Sequence, residues 1–103
     1  MLILGVISSS IFAFPNNWED VTPVLIAPII LEGSNLGEVW INPTPPVYID
    51  RTTSLEILKE IITDDVTKKL ASQNTAKSYL TIDDFKRVGI NLFFNPRELE
   101  LEL

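Results

Sequence analysis

Apolar side chains change their spacing along this chain, and each change predicts a new element of secondary structure. Residues 79–103 read YLTIDDFKRVGINLFFNPRELELEL. Phe85 and Val88 lie three apart on one face of a predicted short helix, and Gly89 is the residue type that most often ends a helix. After this glycine the apolar period drops to two, which predicts two strands joined by a turn at residues 95–98.

The predicted C-terminal hairpin has an apolar row on each strand. The rows are Ile90, Leu92 and Phe94 on the first strand, and Leu99, Leu101 and Leu103 on the second. Three glutamates alternate with the second row, at Glu98, Glu100 and Glu102. This alternation is typical of strands with one buried and one solvated face. We expect the glutamates to be solvated, and the alternative is that they receive a basic partner.

The first half of the chain predicts an antiparallel meander. Residues 21–31 are apolar but contain Pro23 and Pro28, which cannot donate to a strand ladder, so we expect an edge or bulged strand there rather than a central one. The alternating residues 36–42 and 47–50 predict two further strands. Glycines at Gly33 and Gly37 are too sparse for a phosphate-binding loop and are interpreted as turn residues.

Two more helices are predicted between the meander and the C-terminal hairpin. One begins with a capping box at residues 53–56, and the other follows Thr63 and covers residues 64–72. Paired carboxylates, which could bind a hard cation or act in acid–base chemistry, occur at residues 64–65 and 83–84. Both pairs fall in the first turn of a predicted helix, where negative charge is favoured, so we interpret them as helix caps.

These elements together predict an α+β fold. We expect a small antiparallel sheet of two hairpins, with two or three short helices packed on one face. The chain divides into residues 1–13 as a truncated signal sequence, residues 14–28 as a joint and edge strand, and residues 29–103 as one small domain. A buried first strand is the alternative for the apolar residues 1–13. The sequence ends in mid-strand, so we expect it to be a fragment of a longer chain.

Composition narrows the possible functions more than any motif does. The chain has 14 acidic residues against 8 lysines and arginines, and this net charge of -6 disfavours nucleic acid and anionic lipid as partners. It contains no cysteine and no histidine, which removes thiolate metal sites, the usual general base and the Ser-His-Asp triad. We therefore expect a protein that is not an enzyme and has no catalytic residue, metal or cofactor.

Three aromatic residues are the candidate binding residues. Trp40, Tyr48 and Phe93 occupy the strand positions opposite the best aliphatic ones. If helices cover only one side of the sheet, these aromatics are partly exposed and can anchor a protein partner. If both sides are covered, they belong to the core. The sequence leaves both possibilities open.

Three segments carry a resemblance to a known family. The segments ILEGSNLGEVWI, VYIDRTTSLEILKEII and YLTIDDFKRVGINLFFNPRELELEL resemble the N-terminal periplasmic segment of some outer-membrane fimbrial ushers. Those proteins tend to show a short strand with Gly-x-x-Leu-Gly, a strand ending before an amphipathic helix, and a closing Gly-Ile followed by a hairpin. The resemblance covers residues 29–103.

This resemblance implies a non-catalytic, exported module of a surface-fibre assembly and secretion protein active in pilus biogenesis. Its partners would be other proteins such as chaperone–subunit complexes, in the periplasm or outer membrane of a Gram-negative bacterium. It would touch the membrane only through the remainder of a longer chain. The layout is also similar to the small front domain of copper amine oxidase-like cell-surface proteins, which implies the alternative role of a structural stalk or scaffold.

Overall fold

The computed structural model describes residues 18–103, so the predicted signal sequence at residues 1–13 lies outside the described residues. Within them the fold is α+β, as the apolar periods predict. The strands are β1 (Leu25–Leu31), β2 (Ser34–Asn42), β3 (Tyr48–Asp50), β4 (Tyr79–Thr81), β5 (Phe93–Asn95) and β6 (Glu100–Glu102). The helices are α1 (Arg51–Leu58), α2 (Asp64–Ala71) and α3 (Ile82–Arg87).

The six strands form one sheet in the order β4-β3-β2-β1-β6-β5. The predicted meander β1-β2-β3 and the predicted hairpin β5-β6 are both antiparallel. The prediction of a small antiparallel sheet of two hairpins is nevertheless too simple, because β1 and β6 pair in parallel and join the hairpins into one sheet. Parallel neighbours need a long crossover, and here the crossover contains all three helices.

The expectation that β1 is not a central strand is wrong, since β1 lies between β2 and β6. The alternative of a bulged strand is present, because the register of β1 against β2 shifts between Ile29 and Ile30. Pro28 pairs with Glu38 of β2. On the other side, β6 pairs with β1 only at Ile29 and Ile30, after the proline. The missing N–H of Pro28 therefore falls just before the ladder to β6 begins, which explains how an interior strand tolerates it.

Strand β4 was not predicted from the sequence. Its three residues pair antiparallel with β3, and its last residue, Thr81, is also the N-cap of α3. The preceding polar segment is ordered by Arg51, whose guanidinium donates to the carbonyl oxygens of Ala71 and Lys77 at 2.9 and 3.0 Å and also to those of Gln73 and Asn74. One half-buried arginine thus fixes a loop that has no apolar pattern of its own.

The C-terminal hairpin is shorter than predicted. Ile90 and Leu92 precede β5, although Leu92 is buried in the core. Gly89 has the left-handed φ of 89° that was expected, and the N–H of Ile90 donates to the carbonyl oxygen of Phe85 at 2.9 Å. This helix-ending hydrogen bond uses the backbone of Ile90, so the strand begins only after it.

One apolar core lies between the sheet and the helices. Each helix contributes a completely buried side chain to it, at Leu58, Leu70 and Phe85. The strands contribute Ala27, Ile29, Val39, Ile41, Ile49, Leu80 and Leu101. We call the side of the sheet that carries these strand residues the core face, and the opposite side the second face.

Helix starts follow the predicted capping chemistry in two of three cases. Thr63 caps α2 by accepting from the N–H of Val66, and Thr81 and Asp84 form a reciprocal capping box at α3. Helix α1 begins three residues earlier than predicted, with Asp50 rather than Thr53 as its N-cap. Because β3 leads directly into α1, the carboxylate of its last residue, Asp50, caps the helix in place of the capping box predicted at residues 53–56.

Candidate docking surface

The register of the strands shows which side chains share the second face. Directly opposite residues point to the same side of a sheet, and successive residues alternate. Ile26 pairs with Trp40, Pro28 with Glu38, and Ile30 with Glu102. Each of these residues neighbours a core residue in its own strand, so all of them belong to the second face.

The three predicted aromatic candidates share this face but do not form one cluster. Tyr48 pairs with Asn42, two residues beyond Trp40, which makes Tyr48 and Trp40 neighbours on adjacent strands. Phe93 pairs with Glu102 of β6 and lies three strands away from β2, at the edge of the sheet. Phe93 is 59% exposed, whereas Trp40 and Tyr48 are half-buried.

Residues 18–20 cover the second face at the β3–β4 end. The ring centroid of Trp18 lies 5.7 Å from that of Tyr79, which in turn lies 5.0 Å from that of Tyr48 in an edge-to-face arrangement. The indole Nε1 of Trp18 also donates to Oδ1 of Asp50 at 3.1 Å. The two possibilities left open by the sequence therefore both occur, because Tyr48 packs in an aromatic cluster while Phe93 is exposed.

Two carboxylates hold the segment before β1 on the edge strand β4. Glu19 accepts from the backbone N–H and the hydroxyl of Ser78 at 3.0 and 3.1 Å. Asp20 accepts from the hydroxyl of Tyr79 at 2.6 Å, and its other oxygen lies 3.4 Å from Nζ of Lys77. The hydrogen bond from Tyr79 lowers the pKa of Asp20, and burial together with this bond raises the pKa of Tyr79 to about 12.

The remaining part of the second face, on β1, β2, β5 and β6, is apolar with an acidic border. Its apolar members are Ile26, Pro28, Ile30, Trp40 and Phe93. Its charged members are Glu38, Glu100 and Glu102. Within the six described strands, no lysine or arginine occupies a second-face position.

The acidic border is crowded on β6. A hydrogen bond with Glu102, burial, and the nearby charges of Glu102 and Glu98 raise the pKa of Glu100. Glu102 also accepts from Nδ2 of Asn95 at 2.9 Å. The predicted acidic ladder on β6 is thus a set of carboxylates that repel one another beside an apolar surface.

Two shallow cavities flank this part of the second face. One, of about 370 Å³, is lined by Ile30, Glu32, Gly33, Glu100, Glu102 and Leu103. The other, of about 250 Å³, lies by Phe93 and is lined by Ile82, Lys86, Ile90, Asn91 and Leu92 as well. The first combines carboxylates with two aliphatic side chains, and the second is mainly aliphatic with one lysine.

The paired carboxylates lie in first helical turns, as the capping interpretation predicts. Asp64 and Asp65 begin α2, and Asp83 and Asp84 lie in the first turn of α3. Asp84 is buried and bound to Thr81 and Arg87. Residues 18–103 contain no group of three or more histidine, cysteine or acidic side chains arranged to hold a metal ion.

The sequence missed several members of this surface. Ile26, Ile30 and Glu38 were not singled out, because the face of each residue depends on the register of β1 against β2 and β6. The alternation of residues 26–30 was the available signal, since a strand with this alternation places every second apolar residue on the side away from the helices. The two prolines favoured a strand outside the centre of the sheet, so this alternation was not used to assign the residues of β1 to a face.

No helix within residues 18–103 has the length and hydrophobicity needed to cross a membrane. Comparisons with known protein families, with curated proteins and with solved structures find no match to this chain.

Proposed function

We propose that this domain is a non-catalytic protein-interaction module that binds its partner through the second face of the sheet. The observation that carries the proposal is the group of large apolar side chains that β1 and β2 place on that face, together with Phe93, which is 59% exposed on β5 beyond the glutamates of β6. Contiguous apolar side chains at a surface are typical of interaction sites, because leaving them in water costs free energy that binding recovers.

The composition of this surface also fits protein recognition. Aromatic side chains such as Trp40 and Phe93 bury large areas with few rotatable bonds, and such residues commonly dominate binding energy. The neighbouring glutamates provide a polar rim, as in most non-obligate interfaces. We place Tyr48 outside the contact surface, because its ring already packs against Tyr79.

The specific role we propose is that of an usher-like module in surface-fibre assembly and secretion. The support is the sequence resemblance across residues 29–103. In that role the domain is exported to the periplasm or outer membrane of a Gram-negative bacterium and binds chaperone–subunit complexes. A stalk or scaffold domain of a cell-envelope protein is the alternative, and it would use the same surface for a static contact.

The test is binding of purified chaperone–subunit complexes to the immobilised 103-residue chain. Complexes should be retained by the wild-type chain and lost, by about tenfold or more in affinity, with Phe93→Ser. Ile61→Ser is the matched control, because Ile61 is 42% exposed in the loop between α1 and α2. Ile61→Ser should bind as the wild type does.

Two results would count against parts of this proposal. Equal retention by the Phe93→Ser and wild-type chains would remove the second face as the docking surface. Retention of no chaperone–subunit complex would remove the usher-like role. The coding sequence beyond Leu103 provides a separate check, since an usher predicts segments of about ten residues with alternating hydrophobicity.

A further inference from the structure

We infer that the partner of the second face is a basic segment of another protein that combines lysine or arginine with large apolar side chains. This inference rests on the proposed function, because it names the chemistry of the partner for the same surface.

The charge of the face selects this partner over a second copy of the chain. Glu38, Glu100 and Glu102 lie on the second face, and the described strands place no lysine or arginine there. Two copies meeting through this face would bring these carboxylates together in an interface of low dielectric constant, where like charges are costly. The net charge of -6 opposes self-association further.

The cavity beside β6 offers a cationic side chain both apolar and acidic contacts. Its lining joins the aliphatic side chains of Ile30 and Leu103 to the carboxylates of Glu32, Glu100 and Glu102. Lysine and arginine pack their aliphatic stems on apolar surface while the charged group stays with polar partners. A volume of about 370 Å³ holds one such side chain together with water.

The repulsion between neighbouring glutamates adds a driving force. The pKa of Glu100 is raised first by its hydrogen bond with Glu102 and by burial, and then by the charges of Glu102 and Glu98. A cation placed between these carboxylates removes the repulsion, whereas a neutral or acidic segment leaves it in place. The apolar row then supplies the contact area, and the carboxylates supply the selectivity.

The experiment uses the 103-residue chain and three short synthetic peptides of leucine, valine and glycine, whose remaining positions are all lysine, all glutamine or all glutamate. Binding is measured by titration calorimetry and mapped by amide chemical shifts. The lysine peptide should bind about tenfold tighter than the glutamine peptide, and its affinity should fall as salt rises. Glu100→Gln and Glu102→Gln should each weaken it about threefold.

Glu60→Gln is the matched control, because it removes the same charge from an exposed position that follows α1. It should leave the affinity for the lysine peptide unchanged. Equal weakening by Glu60→Gln would reduce the effect to net charge and overturn the inference. Binding of the glutamine or glutamate peptide as tightly as the lysine peptide, with loss on Phe93→Ser, would overturn the inference but keep the proposed function.

Other occupants of the face give different results. A dimer at working concentration that dissociates on Phe93→Ser would place a second copy there. Amide shifts of residues 1–17 that change on Phe93→Ser would assign the face to the chain's own first residues. Either result overturns the inference. Failure of all three peptides to bind, with no effect of Phe93→Ser on chaperone–subunit retention, would overturn the proposed function as well.

Discussion

Trp18 donates a hydrogen bond from its indole Nε1 to Oδ1 of Asp50 at 3.1 Å, although 32 positions separate the two residues in the sequence. The other carboxylate oxygen, Oδ2, accepts from the N–H of Thr53 at 3.0 Å and caps α1. Both Trp18 and Asp50 are more than nine-tenths buried. A single side chain thus starts the first helix and holds the segment that covers the aromatic end of the second face.

Removing this carboxylate should cost more stability than removing its indole partner. Asp50→Ala loses the cap and leaves the indole N–H without an acceptor, so we expect unfolding to become easier by about 2 kcal/mol. Trp18→Phe loses only the hydrogen bond and part of the ring, at about 1 kcal/mol. Urea denaturation measures both. Thr52→Ala, at an exposed position of α1, is the control and should stay within about 0.5 kcal/mol.

The two adjacent aspartates of α3 should differ sharply when mutated. Asp84 is buried, accepts from the N–H of Thr81 at 2.8 Å and binds Arg87 at 2.7 Å, so Asp84→Ala should destabilise the fold by about 2 kcal/mol. Asp83 is exposed in the same turn, and Asp83→Ala should cost no more than about 0.5 kcal/mol. Similar thermal midpoints for the two variants would contradict the capping box.

Gly37 should resist substitution because α1 packs directly on it. It lies inside β2 with a φ of 149°, and an added Cβ would meet Cδ1 of Ile57 at 2.7 Å. Gly37→Ala should therefore destabilise by about 2 kcal/mol. The turn residue Gly33 has open space around it, so Gly33→Ala carries backbone strain alone, at about 1 kcal/mol.

A double-mutant cycle can test this contact. In the background of Ile57→Ala, the cost of Gly37→Ala should fall towards that of Gly33→Ala, because the side chain that blocks the new methyl group is gone. An unchanged cost in that background would show that backbone conformation, rather than Ile57, requires glycine. The interpretation of Gly37 as a turn residue is wrong in either case, because Gly37 lies inside β2.

Acid should loosen the segment at residues 18–20 through Asp20. Its pKa is lowered from the usual 3.8, first by the hydrogen bond from Tyr79 and then by the charge of Lys77. A lowered folded-state pKa means that ionised Asp20 stabilises the fold above pH 3.8, and that this stabilisation disappears as the pH falls through the lower folded-state pKa.

Asp20→Asn should therefore reduce the loss of stability between about pH 5 and about pH 2.5. Denaturation of the wild-type chain and the variant at both pH values measures the difference. Glu60→Gln provides the matched control, since Glu60 is exposed and takes part in none of the ion pairs among residues 18–103, and its acid sensitivity should equal that of the wild type. Equal acid sensitivity of Asp20→Asn and the wild-type chain would show that Asp20 does not carry the effect.

Phe93 and Phe94 should separate binding from folding. Phe94 pairs with Leu101 and packs against the core, so Phe94→Ser should destabilise by about 3 kcal/mol. Phe93 points to the second face and is 59% exposed, so Phe93→Ser should change stability by less than about 1 kcal/mol. Unfolding curves of the two variants test the register of β5. A large loss of stability with Phe93→Ser would mean that Phe93, rather than Phe94, faces the core.

The sequence by itself determined the elements whose signals are local. The capping box of α3 is formed by Thr81 and Asp84, and the helix is followed by Gly89 with its left-handed φ. The alternation of apolar and acidic residues around Leu101 predicts β6. These features depend on contacts a few residues apart, which composition and spacing record directly.

Only the tertiary structure decided which strands are neighbours and which side chains share the second face. The parallel pairing of β1 with β6 moved β1 from the edge to the interior and aligned Ile30 with Glu102. Trp18 is held at the second face by its hydrogen bond to Asp50, and one arginine, Arg51, orders a loop that has no apolar pattern. Such contacts join residues that are distant in sequence, and their pairing depends on the free energy of the whole packed chain rather than on any local pattern.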